Sequence, residues 1–149
     1  METFFTDYLK CLESLHNDLK GALDGIGQEA LDWIPGAEMN SLGVLVAHVC
    51  GSEGYWIGDV VAGVPSGRDR PAEFRTQGVP VEALLEKLDA SFAYVQGVLE
   101  SLTLADLAAA RRVPRDKRQV TVGWVLGHVL AHVGVHAGHA QVTRQFFGR

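Results

Sequence analysis

Cysteine, proline and methionine are scarce in this sequence of 149 residues, which has two cysteines, five prolines and two methionines. Two cysteines are too few for a disulfide framework, and Cys11 and Cys50 form no Cys-x-x-Cys pair. Cys50 lies in an apolar run and is predicted to be a small core residue. We therefore expect a protein that folds without disulfides in the reducing cytoplasm. The charged N-terminal segment METFFTDYLK lacks the apolar run of an export signal.

An excess of basic charge is also absent, because the formal net charge is −5 at pH 7. Such a chain is a poor binder of nucleic-acid phosphates. The basic run 111–118 is interrupted by Asp116 and is interpreted as a solvated loop. Acidic and basic residues are missing from 119–143, a length that could span a bilayer. This segment contains four histidines, which would be costly in hydrocarbon, so we expect neither a nucleic-acid nor a membrane partner.

Apolar residues make up 47% of the chain, and charged residues make up 21%, which is typical of a globular protein. The length fits a single domain over 1–149. Apolar residues recur at three- and four-residue steps in four segments, which are 2–30, 41–62, 80–101 and 121–148. Asn40 or Ser41, Thr103 and Thr121 are suited to cap helices. No set of strands is evident. The sequence predicts an all-α four-helix bundle with long crossover connections.

The strongest chemical signal is HVLAHVGVHAGHA in the last segment. At about 100° per residue, its histidines fall on one arc of the helix; they are His128, His132, His136 and His139. Imidazoles four residues apart can bind one ion, and His48 in the second segment is the candidate third ligand. The sequence thus predicts a metal site on His48, His132 and His136, with zinc or nickel favoured. Pairing of His128 with His132 remains an alternative.

Further polar and aromatic residues are predicted to line a pocket near that metal. On the second helix they share one side with His48; they are Ser52, Tyr55, Trp56 and Asp59. On the last helix, His128 and His139 are candidates for the pocket or for support of the ligands. His16 is expected to be an ordinary surface histidine.

Glycines form a stripe on the other side of the last helix, at Gly123, Gly127, Gly134 and Gly138. Glycine weakens a helix, so the stripe indicates close approach of another backbone. That backbone can belong to the same chain or to a second subunit. The stripe favours a homodimer.

The segments MNSLGVLVAHVCGSEGYW and TVGWVLGHVLAHVGVHAGHAQVTRQ resemble the DinB-like (YfiT-like) superfamily, and both resemble especially its actinobacterial-type branch. The resemblance implies a four-helix bundle with a long link between the second and third helices. It also implies zinc or nickel on His48, His132 and His136. Some branches have an acidic residue at the position of His132, so histidine there is a small departure. Homodimers are common in the family.

Several such proteins are thiol S-transferases that use bacillithiol, mycothiol or glutathione, and a related group isomerises maleylpyruvate. The leading hypothesis is therefore a metal-dependent thiol S-transferase of detoxification type, acting on a low-molecular-weight thiol and a small electrophile. A metal-dependent hydrolase is the close alternative. A non-enzymatic metal-binding stress-response protein is another. A third reading makes the histidines core residues of an interaction module without metal.

Overall fold

A computed structural model describes residues 1–148 and contains six α-helices. They are α1 (Thr3–Leu23), α2 (Gln28–Asp32), α3 (Leu42–Glu53), α4 (Arg70–Glu73), α5 (Val81–Glu100) and α6 (Val122–Phe146). Helices α1 and α3 each pack against α5 and α6, so α1 and α3 lie diagonally opposite. The all-α bundle predicted from the sequence is confirmed. The connection from α1 to α3 and the connection from α5 to α6 each join diagonally opposite helices. The connection from α3 to α5 joins helices that pack against each other.

The first predicted helix is shorter than expected. It ends at Leu23, because the following turn contains Gly25 at φ +64°, a conformation that glycine adopts without a Cβ penalty. The chain then forms the five-residue helix α2 and reaches Ser41. The Ser41 side chain caps α3 by accepting a hydrogen bond from the Val44 amide, at 3.3 Å.

Beyond α3 the helix continues as a π-helix over Gly54–Ala62 and ends at Gly63, which has φ +69°. The predicted end near Ala62 is therefore right, but the winding is wider than that of an α-helix. Position 58 in this segment favours glycine, because a Cβ there would lie 3.0 Å from the Tyr94 hydroxyl oxygen and 3.2 Å from the Val64 carbonyl oxygen. The prediction that residues after Glu53 share one side with His48 assumed the winding of an α-helix. In this wider segment it does not hold in detail.

Two three-residue strands, β1 (Ala110–Arg112) and β2 (Gln119–Thr121), form an antiparallel hairpin that the sequence analysis missed. A 3₁₀ turn at Leu104–Ala108 precedes it, with Thr103 and Asp106 forming the capping box. Thr121 ends the hairpin and caps α6 through the Trp124 amide, at 3.1 Å. The hairpin thus fixes where α6 begins.

The core lies between the four long helices, and α3 is buried on nearly all sides. Large side chains without solvent contact come from each of them, among them Leu12, Leu42, Leu88 and Leu126. Burial of this kind stabilises the fold by roughly 1.5–3 kcal/mol for each large apolar side chain. Within residues 1–148, none of the helices combines the length and the apolar character needed to cross a bilayer.

Candidate metal centre

Three imidazoles from two helices meet at one point. His48 lies on α3, and His132 and His136 lie one turn apart on the neighbouring α6. The Nε2 atom of His132 is 3.1 Å from Nε2 of His48 and 3.2 Å from Nε2 of His136. The three ligand-type nitrogens lie within 4.8 Å of one another. The structure therefore brings together the three histidines that the sequence selected.

Behind His48 stands a carboxylate that the sequence analysis did not identify. Glu73 Oε2 accepts a hydrogen bond from His48 Nδ1 at 2.9 Å. Arg68 binds both Glu73 oxygens, with Nε at 2.6 Å from Oε1 and Nη2 at 2.8 Å from Oε2. Because the carboxylate accepts from Nδ1, the proton of His48 resides there and the Nε2 lone pair points at the other two imidazoles.

The segment that carries Glu73 lies outside the four helical segments predicted from the sequence, but it contains α4. Asp69 caps this helix by accepting from the Ala72 amide at 3.0 Å, and Pro71 lies in its first turn. An Asp followed by proline at the first turn is a recognisable helix start. The helix brings Glu73 against Gly51, where a Cβ would lie 2.6 Å from Glu73 Cδ.

Burial keeps the triad uncharged. Desolvation, together with the neighbouring histidines, lowers the pKa of His132 to about 3 and that of His136 to about 4. Burial also lowers the pKa of His48, against the opposing effect of Glu73. Burial raises the pKa of Glu73, but the hydrogen bonds from Arg68 and His48 outweigh this effect and lower the pKa below its usual value. At neutral pH the site therefore consists of three neutral imidazoles backed by an ionised carboxylate.

These features fit a divalent metal ion. In a tetrahedral zinc site with Zn–N bonds of 2.0–2.1 Å, neighbouring ligand atoms lie about 3.3 Å apart, close to the two short distances observed here. Neutral imidazole suits zinc and nickel, and three protein ligands leave a coordination position open. His132 and His136 are only partly buried, so that position is accessible. His136 Nδ1 has no hydrogen-bond partner among the described residues.

An aromatic cluster adjoins the triad. The His128 ring lies 5.9 Å from the His132 ring, 4.6 Å from Trp56 and 5.0 Å from Trp124, on which it stacks at an interplanar angle of 7°. Tyr55 packs edge-on against Trp56 and accepts a hydrogen bond from the Arg115 amide at 3.2 Å. Burial lowers the pKa of His128, and nearby Arg118 and Arg115 lower it further. Three of the predicted pocket residues therefore lie together at one end of the triad.

The other predicted pocket residues are placed differently. Asp59 accepts from the Ser66 amide at 2.9 Å and thereby holds the loop after the π-helix. Ser52 is buried on α3, and nothing in the described part of the chain links it to the triad. His139 is exposed, with its ring 5.5 Å from that of His136. A pocket of about 380 Å³ borders Glu73 and Arg68, but its lining includes none of the three histidines.

The prediction that His16 is a surface residue is wrong. Its side chain is 2% exposed, and Nε2 lies 2.7 Å from Oε1 of Glu53, which is 1% exposed. Ser91 donates a hydrogen bond to the other oxygen of Glu53. Cys50 is buried as predicted, and burial, with a contribution from Glu53, raises the pKa of its thiol. This polar cluster is separate from the triad and supports the bundle core.

Comparison with known proteins agrees with this architecture. The sequence model of the DinB superfamily matches residues 12–140. The crystal structure of a conserved protein from Enterococcus faecalis superposes with a TM-score of 0.80, covering 97% of this chain and 96% of that chain. The two sequences are 18% identical, so this likeness concerns the fold alone. No protein with a curated description matches the chain.

Proposed function

Since the chain belongs to the DinB superfamily, we propose that it binds one divalent metal ion, zinc or nickel, through His48, His132 and His136, and acts as a metal-dependent thiol S-transferase. The observation that carries the proposal is the convergence of three Nε2 atoms backed by the Glu73 carboxylate. A purely structural histidine cluster does not require a carboxylate that fixes one tautomer. A metal ligand does, because its lone pair must face the ion.

The accessible side of the triad is where substrates would meet. A bound divalent ion would lower the pKa of a coordinated thiol and make its sulfur nucleophilic at neutral pH. The protein supplies neutral ligands, so the charge of the ion is not cancelled at the site. His128 lies beside the triad in its neutral form and is placed to accept the thiol proton. Trp124, which stacks on His128 and is 42% exposed, offers an apolar wall against which a substrate carbon can lie.

The reaction class has a simple balance. The thiol gives up its proton, and its sulfur forms a new bond to an electrophilic carbon of the second substrate. The leaving group departs from that carbon with the bonding electron pair. The products are a thioether, the free leaving group and one proton, so no oxidant or reductant is required.

The test has two stages. First, untagged protein is analysed for metal after incubation with zinc or nickel and dialysis; we expect one equivalent per chain. Second, the cobalt form is titrated with glutathione, bacillithiol and mycothiol. We expect a new sulfur-to-metal absorption band with at least one thiol, and faster conjugation of a model electrophile than with metal-free protein. Well under one equivalent of metal would refute the metal site. A full equivalent with an unchanged spectrum for all three thiols would refute the transferase and leave a hydrolase or a non-enzymatic protein.

We also propose that two copies associate through the outer face of α6. Large apolar side chains are exposed along this face; Val135, Val142 and Phe146 are 56%, 43% and 53% exposed. Gly127 and Gly138 lie along this face, and a Cβ added at either position would have no other atom within 4 Å. The backbone of a partner could therefore approach closely there. By contrast, a Cβ added at Gly123 would lie 3.2 Å from the Leu107 carbonyl oxygen, and one added at Gly134 would contact the Leu15 side chain, both within the same chain. The predicted glycine stripe is thus divided between internal packing and this open face.

A further inference from the structure

The basic run that the sequence analysis interpreted as a solvated loop is an ordered part of the site. It forms the tip of the hairpin between β1 and β2, and Val113 at its base is fully buried. Two backbone hydrogen bonds close the tip, from the Val113 amide to the Arg118 carbonyl and from the Lys117 amide to the Val113 carbonyl, both at 2.9 Å. Together with the bond from the Arg115 amide to the Tyr55 hydroxyl, they fix the direction in which the arginines leave the backbone.

Both arginines of this tip lie over the aromatic cluster. The Arg118 guanidinium carbon is 4.8 Å from the Trp124 ring centre and 5.7 Å from that of Trp56. The Arg115 guanidinium carbon is 5.8 Å from Trp56 and 5.7 Å from Tyr55. A guanidinium over an indole face is attracted by the ring and loses little of its ability to donate from its edges. The stacking therefore holds two cations in place while their donors remain available.

Carboxylates of the chain neutralise this pair only weakly. Within residues 1–148, the one that reaches both is Asp116, with Oδ2 at 3.3 Å from Arg118 Nε and 3.9 Å from Arg115 Nε. Neither contact is the two-bond pairing that Arg68 makes with Glu73. Arg115 and Arg118 are 56% and 45% exposed, so their outer donors face solvent. In a chain of net charge −5, this local positive surface stands out.

The pair is connected to the triad through one layer of rings. His128 stacks on Trp124 and contacts Trp56, and its other neighbour is His132 of the triad. Trp56 is buried, whereas Trp124 is 42% exposed and lies between His128 and Arg118. A small molecule that reacts at the triad can therefore extend across His128 and Trp124 and place its far end beside the arginines. A guanidinium edge matches a carboxylate there, because planar donors and planar acceptors pair with two parallel hydrogen bonds.

We propose that Arg115 and Arg118 form the anion-recognition part of the substrate site and select a small carboxylate-bearing molecule whose apolar part lies against the exposed part of Trp124. This assignment of substrate class rests on the proposed function for its chemistry, but binding itself can be measured without turnover. The carboxylate can belong to the thiol or to the electrophile, since both must reach the triad. A merely structural role, in which the arginines only shield the tryptophans, predicts no preference for an anion.

The binding test uses phenylacetate and its neutral counterpart phenylacetamide as probes, with metal-free and zinc-loaded protein. Tryptophan fluorescence or calorimetry gives the affinities. We expect the acid to bind about tenfold more tightly than the amide in both forms, as for a hydrogen-bonded ion pair. Arg115→Gln and Arg118→Gln should each reduce this preference, and the double variant should abolish it. Arg112→Gln is the matched control, since it removes one charge from an exposed position of the same hairpin and should retain the preference.

The substitutions Arg115→Lys and Arg118→Lys keep the charge and guard against loss of folding as an explanation. They should retain part of the preference, with thermal unfolding close to that of the wild type. Equal binding of acid and amide by the wild-type protein would overturn the proposal. So would an unchanged preference in the folded double variant.

Turnover then separates the source of the carboxylate from failure of the proposed function. Glutathione is compared with its diethyl ester, and a carboxylate-bearing electrophile with its methyl ester. We expect the Arg115→Gln/Arg118→Gln variant to raise KM for the anionic member of one pair only, and that pair identifies the substrate. If no thiol reacts with the metal-loaded protein, the proposed transferase activity is refuted. The proposed anion site is then still tested by the binding of phenylacetate. If thiols react but neither KM changes, the anion site is refuted.

Discussion

Replacing Gly51 by alanine would place a methyl group against the carboxylate that orients His48. The added Cβ would lie 2.6 Å from Glu73 Cδ, where ordinary contacts begin at 3.4 Å. The backbone of α3 is buried on both sides of this position, so the carboxylate must move. The atom that the Cβ would meet first is Oε1, which Arg68 Nε binds. A shift of the whole carboxylate should therefore weaken its hydrogen bonds to Arg68, at 2.6 and 2.8 Å, and to His48, at 2.9 Å.

The expected magnitude follows from two opposing effects. Alanine in a helix is favoured over glycine by about 1 kcal/mol. Each hydrogen bond to a charged group contributes about 1.5–3 kcal/mol, so loss of one outweighs that gain and lowers the free energy of unfolding by about 0.5–2 kcal/mol. Metal affinity should fall about 10- to 100-fold, the usual effect of losing a group that supports a ligand, which equals about 1.4–2.8 kcal/mol. The two effects are measured separately, by chemical denaturation of the metal-free protein and by its affinity for zinc.

The assay is competition for zinc against a chromophoric chelator. Gly54→Ala is the matched control on the same continuous helix, because its Cβ would lie 3.6 Å from Ser66 Cβ, an ordinary contact. A double-mutant cycle with Glu73→Ala tests the route of the effect. In that background Gly51→Ala should cause no further loss, since the displaced carboxylate is already gone. An unchanged zinc affinity in Gly51→Ala, or an equal loss in the presence and absence of Glu73, would refute the reasoning.

Three further predictions concern the ligands, pH and assembly. His132→Ala and His136→Ala should each lose zinc to a chelator, whereas His16→Ala should retain it. His16→Ala should lower the free energy of unfolding by about 1–3 kcal/mol, because one oxygen of the buried Glu53 loses its hydrogen-bond partner and only the bond from Ser91 remains. Metal analysis and urea denaturation check this, and retention of zinc by all three variants would show that other residues bind it. Because the pKa values of His132 and His136 are about 3 and 4 in the folded state and 6.5 is the ordinary value, the unfolded chain binds protons that the metal-free native chain does not. The stability of metal-free protein should therefore be highest above pH 6.5 and decrease as pH falls towards 3, and a flat denaturation profile over that window would contradict the shifts. Val135→Glu should convert a dimer to a monomer in sedimentation experiments, since the wild-type side chain is 56% exposed on the outer face of α6; a monomeric wild-type protein at micromolar concentration would exclude the dimer.

The helix periodicity was sufficient to predict the bundle and to place two of the three histidines on one face. His132 and His136 share a face for local reasons, because residues four apart in an α-helix lie one above the other. His48 was a weaker prediction, since spacing along one helix does not determine which side faces a neighbour. The structure supplies that information by packing α3 against α6.

The residues missed by sequence reasoning depend on contacts far apart along the chain. Glu73 is 25 residues from His48, and its position depends on the short helix α4 and on the absence of a side chain at Gly51. His16 is 37 residues from Glu53, and a histidine on an amphipathic helix carries no sign of a buried partner on another helix. Arg115 and Arg118 were interpreted from charge alone, which does not reveal stacking on tryptophans.

The two ligand-bearing helices are joined by a long length of chain, and this has a consequence for how the site assembles. His48 and His132 are 84 residues apart. Closing a loop of that length costs about 4.5 kcal/mol of chain entropy. Packing of α3 against α6 contributes to this closure, so its cost does not fall on metal binding alone. Substitutions that loosen this helix pair, even far from the histidines, should therefore weaken metal binding in proportion to the fraction of chains in which the loop is open.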